Sequence, residues 1–300
     1  MNPLLLDQDL KAWLEEDIGF GDITTEAIVP PDAVATGLIH TKEAGLVCGL
    51  PLAQRVFALL DPTLTFVPMV TEGTAAGDRT VLAKVSGSAR SLLTGERLAL
   101  NLLQHLSGIA TYTHKLAQLA APYGAVVVDT RKTTPGLRQL EKYAVRVGGG
   151  RNHRQGLFDA VLIKDNHIQV AGGITQALEL AKKHTSHMTK IEIEVETLEG
   201  AREALQAGAD VIMLDNMAPE QMKACVKELK GKVIIEASGG INENTLAQVA
   251  ATGVDVISVG ALTHSVKALH QHQTDSLQTA RPKNGTEFST AKICLRANFL

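Results

Sequence analysis

Charged and polar residues follow short apolar segments at regular intervals in the second half of the chain. One apolar segment ends at Asp129 and is followed by Arg131 and Lys132, and another leads directly into Lys164. Side chains of these types bind carboxylates and phosphates, and they also serve in proton transfer. Later apolar segments end in the same way, with polar residues or glycine at Glu194, Asp215, Ser238 and Gly260.

The stretch between Asp129 and His167 is basic, although the whole chain is slightly acidic. It carries a net charge of +4 over 39 residues, whereas the 300-residue chain has a formal charge of −3. A local cluster of cations in an acidic protein favours a substrate with several negative charges.

Three glutamates, Glu192, Glu194 and Glu196, alternate with apolar residues in one predicted strand. A strand has a side-chain period of two, so all three are expected on one face. Carboxylates on a buried face require compensation by cations or by a ligand. The pattern therefore indicates a polar strand face that belongs to a site.

Glycine-rich segments at two strand ends could bind phosphate. Ser238, Gly239 and Gly240 precede a predicted helix, and backbone N–H groups at a helix N-terminus attract anions. Gly260 and Ala261 follow the last apolar segment, and β/α barrels often bind phosphate in the loops after their last strands.

The elements that must position these residues are predicted strands that alternate with helices of 10–15 residues. This alternation is typical of a parallel sheet, and strand starts about 20 residues apart favour a β/α barrel. We expect an α/β fold: an incomplete, open six-stranded β/α barrel at 111–269 with an N-terminal α+β sandwich-like domain at 1–110. Residues 270–300 are polar and are expected to form a mobile tail. The six strands are expected near 125–129, 161–164, 191–195, 210–214, 233–236 and 255–259, and the helices near 135–147, 174–184, 198–207, 219–229 and 242–251.

Composition disfavours several functional classes. The negative charge and the aromatic content of 3% disfavour a nucleic-acid binder or a membrane protein. Acidic residues near the N-terminus predict that there is no signal peptide, so a cytoplasmic location is expected. The three cysteines form no C-x-x-C pair, which disfavours a zinc site.

Two alternative functions stay open on the residues alone: a Schiff-base aldolase that uses Lys164, and a sensor of a phosphorylated ligand.

Nine motifs in order resemble the quinolinate phosphoribosyltransferase family of type II phosphoribosyltransferases. The resemblance covers about residues 5–268, and such an ordered series is highly specific. The motifs lie at Glu16–Thr25, Glu96–Thr111, Asp129–Arg138, Gly148–Arg154, Leu162–His167, Glu194–Glu199, Met213–Asn216, Glu236–Ile241 and Val259–Ser265.

The resemblance implies a reaction and its participants. Quinolinate and 5-phosphoribosyl 1-pyrophosphate would give nicotinate mononucleotide, pyrophosphate and CO₂, with Mg²⁺ as cofactor, as a step of NAD biosynthesis. It also implies a homodimer, with possible higher assembly, in which Arg97 reaches the neighbouring active site. A molybdenum-associated homologue with another pyridine-like substrate is the nearest alternative within the fold.

The resemblance also implies residue roles. Lys132, Lys164, Glu194 and Asp215 would be catalytic, and Glu194 and Asp215 would bind ribose hydroxyls or Mg²⁺. The substrates would be bound by Arg97, Arg131, His153, Arg154, Lys164, His167, Glu194, Asp215, Ser238, Gly239, Gly240, Gly260 and Ala261. Family members usually continue after Ser265 with a strand that returns to the N-terminal domain, and the polar tail here departs from that pattern.

Overall fold

The computed structural model describes residues 3–269, 271–272 and 291–294 of the chain. The described residues divide into two compact units. The first contains the residues up to Thr111 and those from Lys267 onward, and the second contains Tyr112–Val266.

The first unit combines helices with a mainly antiparallel sheet. Strand β1 (Val34–Thr41) pairs with β5 (Val81–Ser88) along nearly its whole length. On the other side of β5 lies β3 (Thr65–Pro68), and β12 (Gln271–His272) pairs with β1. A separate two-stranded sheet joins β2 (Gly45–Leu46) and β4 (Ala75–Ala76). The remaining elements are α1 (Pro3–Ile18), α2 (Ile23–Ile28), α3 (Leu50–Leu60), β13 (Ala291–Cys294) and the part of α4 (Ala89–Ala120) that precedes Tyr112.

Apolar periodicity explains the core of this unit. Ala35 and Ile39 of β1 are buried at the two-residue period of a strand. In α4, buried residues recur at three- and four-residue spacing through Ala99, Leu103 and Leu106, which is the period of a helix with one face in the core.

Two segments of the expected tail form strands along one edge of β1. Strand β12 pairs antiparallel with His40 and Thr41, and β13 pairs parallel with Ala35–Leu38. The prediction of a mobile tail is therefore wrong for these six residues, because an unpaired sheet edge can accept backbone hydrogen bonds from almost any sequence. The rest of 270–300 lies outside the described residues.

The second unit alternates strands with helices. A 3₁₀-helix, Ala121–Tyr123, leads from α4 into the first strand. The elements that follow are β6 (Val126–Val128), α5 (Arg138–Val147), β7 (Val161–Ile163), α6 (Asp165–Ala171), α7 (Ile174–His184), β8 (Ile191–Val195), α8 (Leu198–Gln206), β9 (Val211–Asp215), α9 (Pro219–Leu229), β10 (Ile234–Ser238), α10 (Leu246–Ala250), β11 (Val256–Ser258) and α11 (Ala261–His264).

The six strands of this unit are parallel and form an open sheet in the order β6-β11-β10-β9-β8-β7. The first strand in sequence pairs with the last, as in a β/α barrel, while the described strands β6 and β7 stay at the two edges. The predicted fold, an open six-stranded barrel with an N-terminal α+β unit, is confirmed.

Five helices differ from the sequence prediction. Helix α11 was not expected after the last strand, and α5 begins at Arg138 instead of near residue 135. Helix α6 was not expected, because its polar first turn resembles a loop, and α2 was missed for the same reason. Asn242 was expected to open the helix after β10, but it forms a turn with Thr245 and the helix begins at Leu246.

The segment Arg151–Arg154 fills part of the gap at the edge of β6. The Arg151 N–H donates to the Val127 carbonyl at 2.9 Å, and Arg151 forms an isolated parallel bridge with Val128. Arg154 Nη1 donates to the Ala160 carbonyl, one residue before β7, at 3.2 Å. The segment thereby bonds at both edges of the open barrel. Across the described residues, no helix is long and apolar enough to cross a lipid bilayer.

We predict that Gly108→Ala destabilises the first unit. A Cβ atom at Gly108 would lie 2.3 Å from the Lys267 carbonyl oxygen. Glycine-to-alanine changes inside helices usually stabilise by about 0.5–1 kcal/mol. Here the clash with backbone should reverse the sign, and we expect a loss of about 1–3 kcal/mol in the free energy of unfolding, measured by urea denaturation.

Gly95→Ala in the same helix is the matched control. Its Cβ would meet side chains and not backbone, the Phe57 ring at 3.1 Å and Leu60 Cδ2 at 3.3 Å, and side chains can shift. A smaller loss for Gly108→Ala than for Gly95→Ala would contradict the close approach at Lys267.

Candidate active site

A cavity of about 720 Å³ opens at the carboxyl ends of the barrel strands. The strand faces explain its composition. Ile193, Ile212 and Ile235 are fully buried, and strand alternation turns Glu194, Asp215 and Ser238 to the opposite face, toward the cavity. The lining residues are Thr130, Arg131, Lys132, His153, Arg154, Leu162, Lys164, Glu194, Met213, Asp215, Asn216, Ser238, Gly239, Gly240, Ile241, Asn242, Ser258, Gly260, Ala261 and His264.

Strand register brings specific polar residues side by side. Ser238 lies beside Asp215 in the β9–β10 pair, and Ile163 lies beside Ile193 in the β7–β8 pair. Lys164 follows Ile163 directly, and its Nζ donates a hydrogen bond to Glu194 Oε1. A cation and a carboxylate thus share one wall of the cavity.

Four cations line the cavity: Arg131, Lys132, Arg154 and Lys164. Burial and the nearby Arg131 lower the pKa of Arg154, which shows that positive charges are crowded there. Arg131 Nε is buried and has no hydrogen-bond partner within the described part of the chain. A buried donor without an acceptor is costly, so this arrangement favours an anionic ligand that supplies the acceptor.

Glycine is required where the chain turns after β10. Gly239 has a φ of +97°, and a Cβ there would lie 2.8 Å from the Asn216 backbone nitrogen. The backbone of this loop can therefore approach a ligand closely. On the other side of the cavity, Thr263 Oγ1 donates to the Lys132 carbonyl at 2.7 Å, which ties the loop after β6 to α11.

Two carboxylates lie deeper in the barrel, beneath His153. His153 Nε2 is 2.9 Å from Glu192 Oε2 and 3.6 Å from Glu236 Oε1. Glu192 and Glu236 are 6% and 3% exposed. Burial, followed by the charge of Glu192, raises the pKa of Glu236 to about 8. Burial lowers the pKa of His153, but the two carboxylates more than offset this and raise it overall.

A fully buried ion pair holds the segment that carries His153. Asp129, at the end of β6, accepts from Lys142 Nζ and Asn152 Nδ2, and it accepts the His153 N–H at 2.9 Å. Burial raises the pKa of Asp129 and lowers that of Lys142, while their mutual contact opposes both shifts.

Most of the predicted site residues meet at this cavity, and two do not. Arg97 belongs to α4 of the first unit, and His167 is exposed on α6, where its Nδ1 accepts the Lys164 N–H at 2.9 Å. Glu196 follows β8 and is exposed, so only Glu192 and Glu194 of the three glutamates face the barrel interior.

Sequence reasoning missed several lining residues. Asn216 and His264 lie inside two of the family motifs, and their position after a strand was the signal that could have identified them. Leu162 and Met213 gave no such signal, because they are apolar strand residues. The missed lining residues are Thr130, Leu162, Met213, Asn216, Ile241, Asn242, Ser258 and His264.

Comparisons with known proteins identify the family. The C-terminal domain model of quinolinate phosphoribosyl transferase matches residues 109–272, and the N-terminal domain model matches residues 22–107. The chain belongs to the quinolinate phosphoribosyltransferase family. Within this family it is 46% identical to a probable nicotinate-nucleotide pyrophosphorylase [carboxylating] of Synechocystis over 268 residues, covering 86% of this chain and 88% of the relative.

Two further proteins are similar to this chain over most of its length. A probable nicotinate-nucleotide pyrophosphorylase [carboxylating] of Bacillus subtilis is 44% identical over 269 residues, or 90% of this chain and 93% of the relative. The crystal structure of NadC from Streptococcus pyogenes superimposes with a TM-score of 0.88 at 43% identity, covering 90% of this chain and 96% of that chain.

We predict that Glu236→Gln changes how stability depends on pH. The raised pKa of Glu236 means that the folded state keeps a proton that the unfolded state releases above about 4.5. Wild-type stability should therefore fall relative to the glutamine variant as the pH rises from 5 to 8, by at most about 1.4 kcal/mol per pH unit. Urea denaturation across this range measures the difference.

Glu179→Gln is the control, because Glu179 is an exposed residue of α7. It should follow the wild-type profile. A Glu236→Gln profile parallel to the wild type at every pH would contradict the raised pKa.

Proposed function

We propose that this chain transfers the phosphoribosyl group from 5-phosphoribosyl 1-pyrophosphate to quinolinate. The products would be nicotinate mononucleotide, pyrophosphate and CO₂, as part of NAD biosynthesis. The observation that carries the proposal is the buried, unpartnered Arg131 Nε in a cavity with three further cations. Quinolinate is a dicarboxylate and the second substrate is a polyphosphate, so both supply the acceptors that this cavity needs.

The cations divide between the two substrates. Arg131 and Arg154 would hold the quinolinate carboxylates, because guanidinium groups match carboxylates with paired hydrogen bonds. Lys132 and Lys164, as compact point charges, would neutralise the pyrophosphate. The backbone at Ser238–Gly240 and at Gly260–Ala261, which lines the same cavity, would bind the 5-phosphate.

The reaction follows from this arrangement of charges. Pyrophosphate departs with the electrons of its bond to the ribose carbon, and that carbon gains positive charge. Glu194 and Asp215 stabilise that charge, while Lys132 and Lys164 stabilise the leaving group. The quinolinate nitrogen attacks the same carbon and becomes a pyridinium. The bond to the adjacent carboxylate then breaks as CO₂ leaves, its electron pair stays on the ring carbon next to the pyridinium nitrogen, and that carbon takes up a proton from solvent, so the protein needs no nucleophile.

Magnesium fits the residues at this site. Glu194 and Asp215 offer carboxylate oxygens at the cavity wall, and Asp215 Oδ2 is oriented by the Asn216 amide at 2.8 Å. Mg²⁺ is commonly held by one or two carboxylates together with substrate phosphates. When bound, it would neutralise charge on the pyrophosphate.

A homodimer is part of the proposal. Arg97, in the first unit, would complete the neighbouring active site, which explains why it belongs to a family motif although it does not line this cavity. Assembly beyond a dimer and the cytoplasmic location stay predictions.

We predict that Arg131→Ala loses quinolinate binding and keeps its fold. The variant removes the guanidinium whose Nε is buried at the cavity, so the KM for quinolinate should rise at least about 100-fold. Nicotinate mononucleotide formation and CO₂ release measure activity, and circular dichroism checks the fold.

Wild type with nicotinate in place of quinolinate is the companion assay. Nicotinate lacks the carboxylate that leaves, so turnover should be specific to quinolinate. Faster turnover of nicotinate, or unchanged kinetics of Arg131→Ala, would refute the proposed function.

We predict that an Arg97→Ala subunit and a Lys164→Ala subunit complement each other. Each homodimer should be inactive, whereas a mixed dimer has one site with both wild-type side chains. Random mixing should restore roughly a quarter of wild-type activity. Activity that stays at the level of the separate variants would show that Arg97 does not complete a neighbour's site.

A further inference from the structure

His153 uses all four of its polar atoms inside the protein. Two are backbone atoms and two are ring nitrogens, and each has a protein partner at hydrogen-bond distance. The family resemblance assigns this residue to substrate binding, and it does line the cavity. Its contacts indicate a different role.

The backbone of His153 is held by the buried ion pair. Its N–H donates to Asp129 Oδ1 at 2.9 Å, and its carbonyl accepts from Lys142 Nζ at 3.0 Å. Both partners are fully buried, so no water competes for these bonds. The position of the backbone is therefore strongly determined.

The ring of His153 connects the barrel interior to Arg154. Nδ1 accepts the Arg154 N–H at 2.8 Å, so in this arrangement the ring proton lies on Nε2. Nε2 then donates to Glu192 Oε2 at 2.9 Å. Neither ring nitrogen then keeps a lone pair or a proton for the substrate, and in this tautomer His153 offers no lone pair to a metal ion in its cluster with Glu192 and Glu236.

We propose that His153 is a positioning residue, held by Glu192, that sets Arg154 in place for the substrate. Arg154 follows His153 directly, and its Nη1 reaches the Ala160 carbonyl at 3.2 Å. Its backbone is thus fixed by the His153 ring and its side chain by the residue before β7. The proposal rests on the function proposed above only in naming quinolinate as the anion that Arg154 meets.

A double-mutant cycle separates positioning from direct binding. Quinolinate dissociation constants are measured by equilibrium dialysis for wild type, His153→Ala, Arg154→Ala and the double variant. If His153 acts through Arg154, His153→Ala should weaken binding about tenfold in the wild type and less than about twofold when Arg154 is already alanine. If His153→Ala weakened quinolinate binding by the same factor in wild type and in Arg154→Ala, the proposal would be overturned. His187→Ala, which changes an exposed histidine, is the control.

Imidazole nitrogen NMR of the full chain tests the same idea without any substrate. At a pH above the raised pKa of His153, where the ring is neutral, we expect Nε2 to carry the proton and Nδ1 to show an imine shift, with His153→Ala providing the assignment. Glu192→Gln keeps an acceptor oxygen and should preserve this signature, whereas Glu192→Ala should lose it.

The two experiments fail in distinguishable ways. Absence of quinolinate binding by wild type would refute the proposed function, while the NMR signature would still decide whether the ring is held as proposed. A proton on Nδ1 in wild type, or an unchanged ring in Glu192→Ala, would overturn the positioning role.

Discussion

The barrel and its site depend on the hydrogen bonds and the ion pair that the buried carboxylate of Asp129 forms. Six strands leave the barrel open between β6 and β7, and Asp129 stands at the end of the edge strand β6. It gathers Lys142 from α5 and the segment before β7 around one charge. Loss of one partner from such a pair leaves an unpaired charge in the interior and typically costs about 3–5 kcal/mol. The gap between β6 and β7 is thus bridged by the side chains around Asp129, at a place where a closed barrel would have further strands.

The polar side chains that bridge the open side of the barrel also explain why its interior can be polar. In closed eight-stranded barrels, layers of branched apolar side chains fill the centre. Here Glu192 and Glu236 occupy the interior face, which is tolerable only because His153 lies between them and the cavity, and because the raised pKa of Glu236 allows one carboxyl to keep its proton. The segment that bridges the open side therefore also supplies the group that compensates the interior carboxylate.

The sequence alone predicted the parts of the molecule that depend on local pattern. The alternation of β-branched runs and capped helices located all six parallel strands, and Pro219 marked the first residue of α9 as expected. Strand ends predicted most cavity residues, because parallel strands bring their carboxyl ends to one edge.

What the sequence could not show depends on contacts between distant residues. Lys142 was counted as one cation of a basic stretch, but nothing local revealed that it is fully buried against Asp129. Glu192 and Glu194 belong to the same alternating pattern, yet one lies inside the barrel and the other at the cavity wall. The hydrogen bonds that His153 makes inside the protein were not predicted for the same reason, since a motif specifies a residue type and not its partners.

The order of charges along the barrel axis connects this architecture with the chemistry. Carboxylates lie deepest at Glu192 and Glu236, and cations surround the cavity near the strand ends. In the proposed reaction an anionic substrate would meet the cations first, while Glu194 and Asp215 would stabilise the positive charge that develops as an anionic group leaves. A uniformly basic pocket would bind the ground state well and would oppose that positive charge. In the proposed reaction the mixture of signs would favour the transition state over the bound substrates.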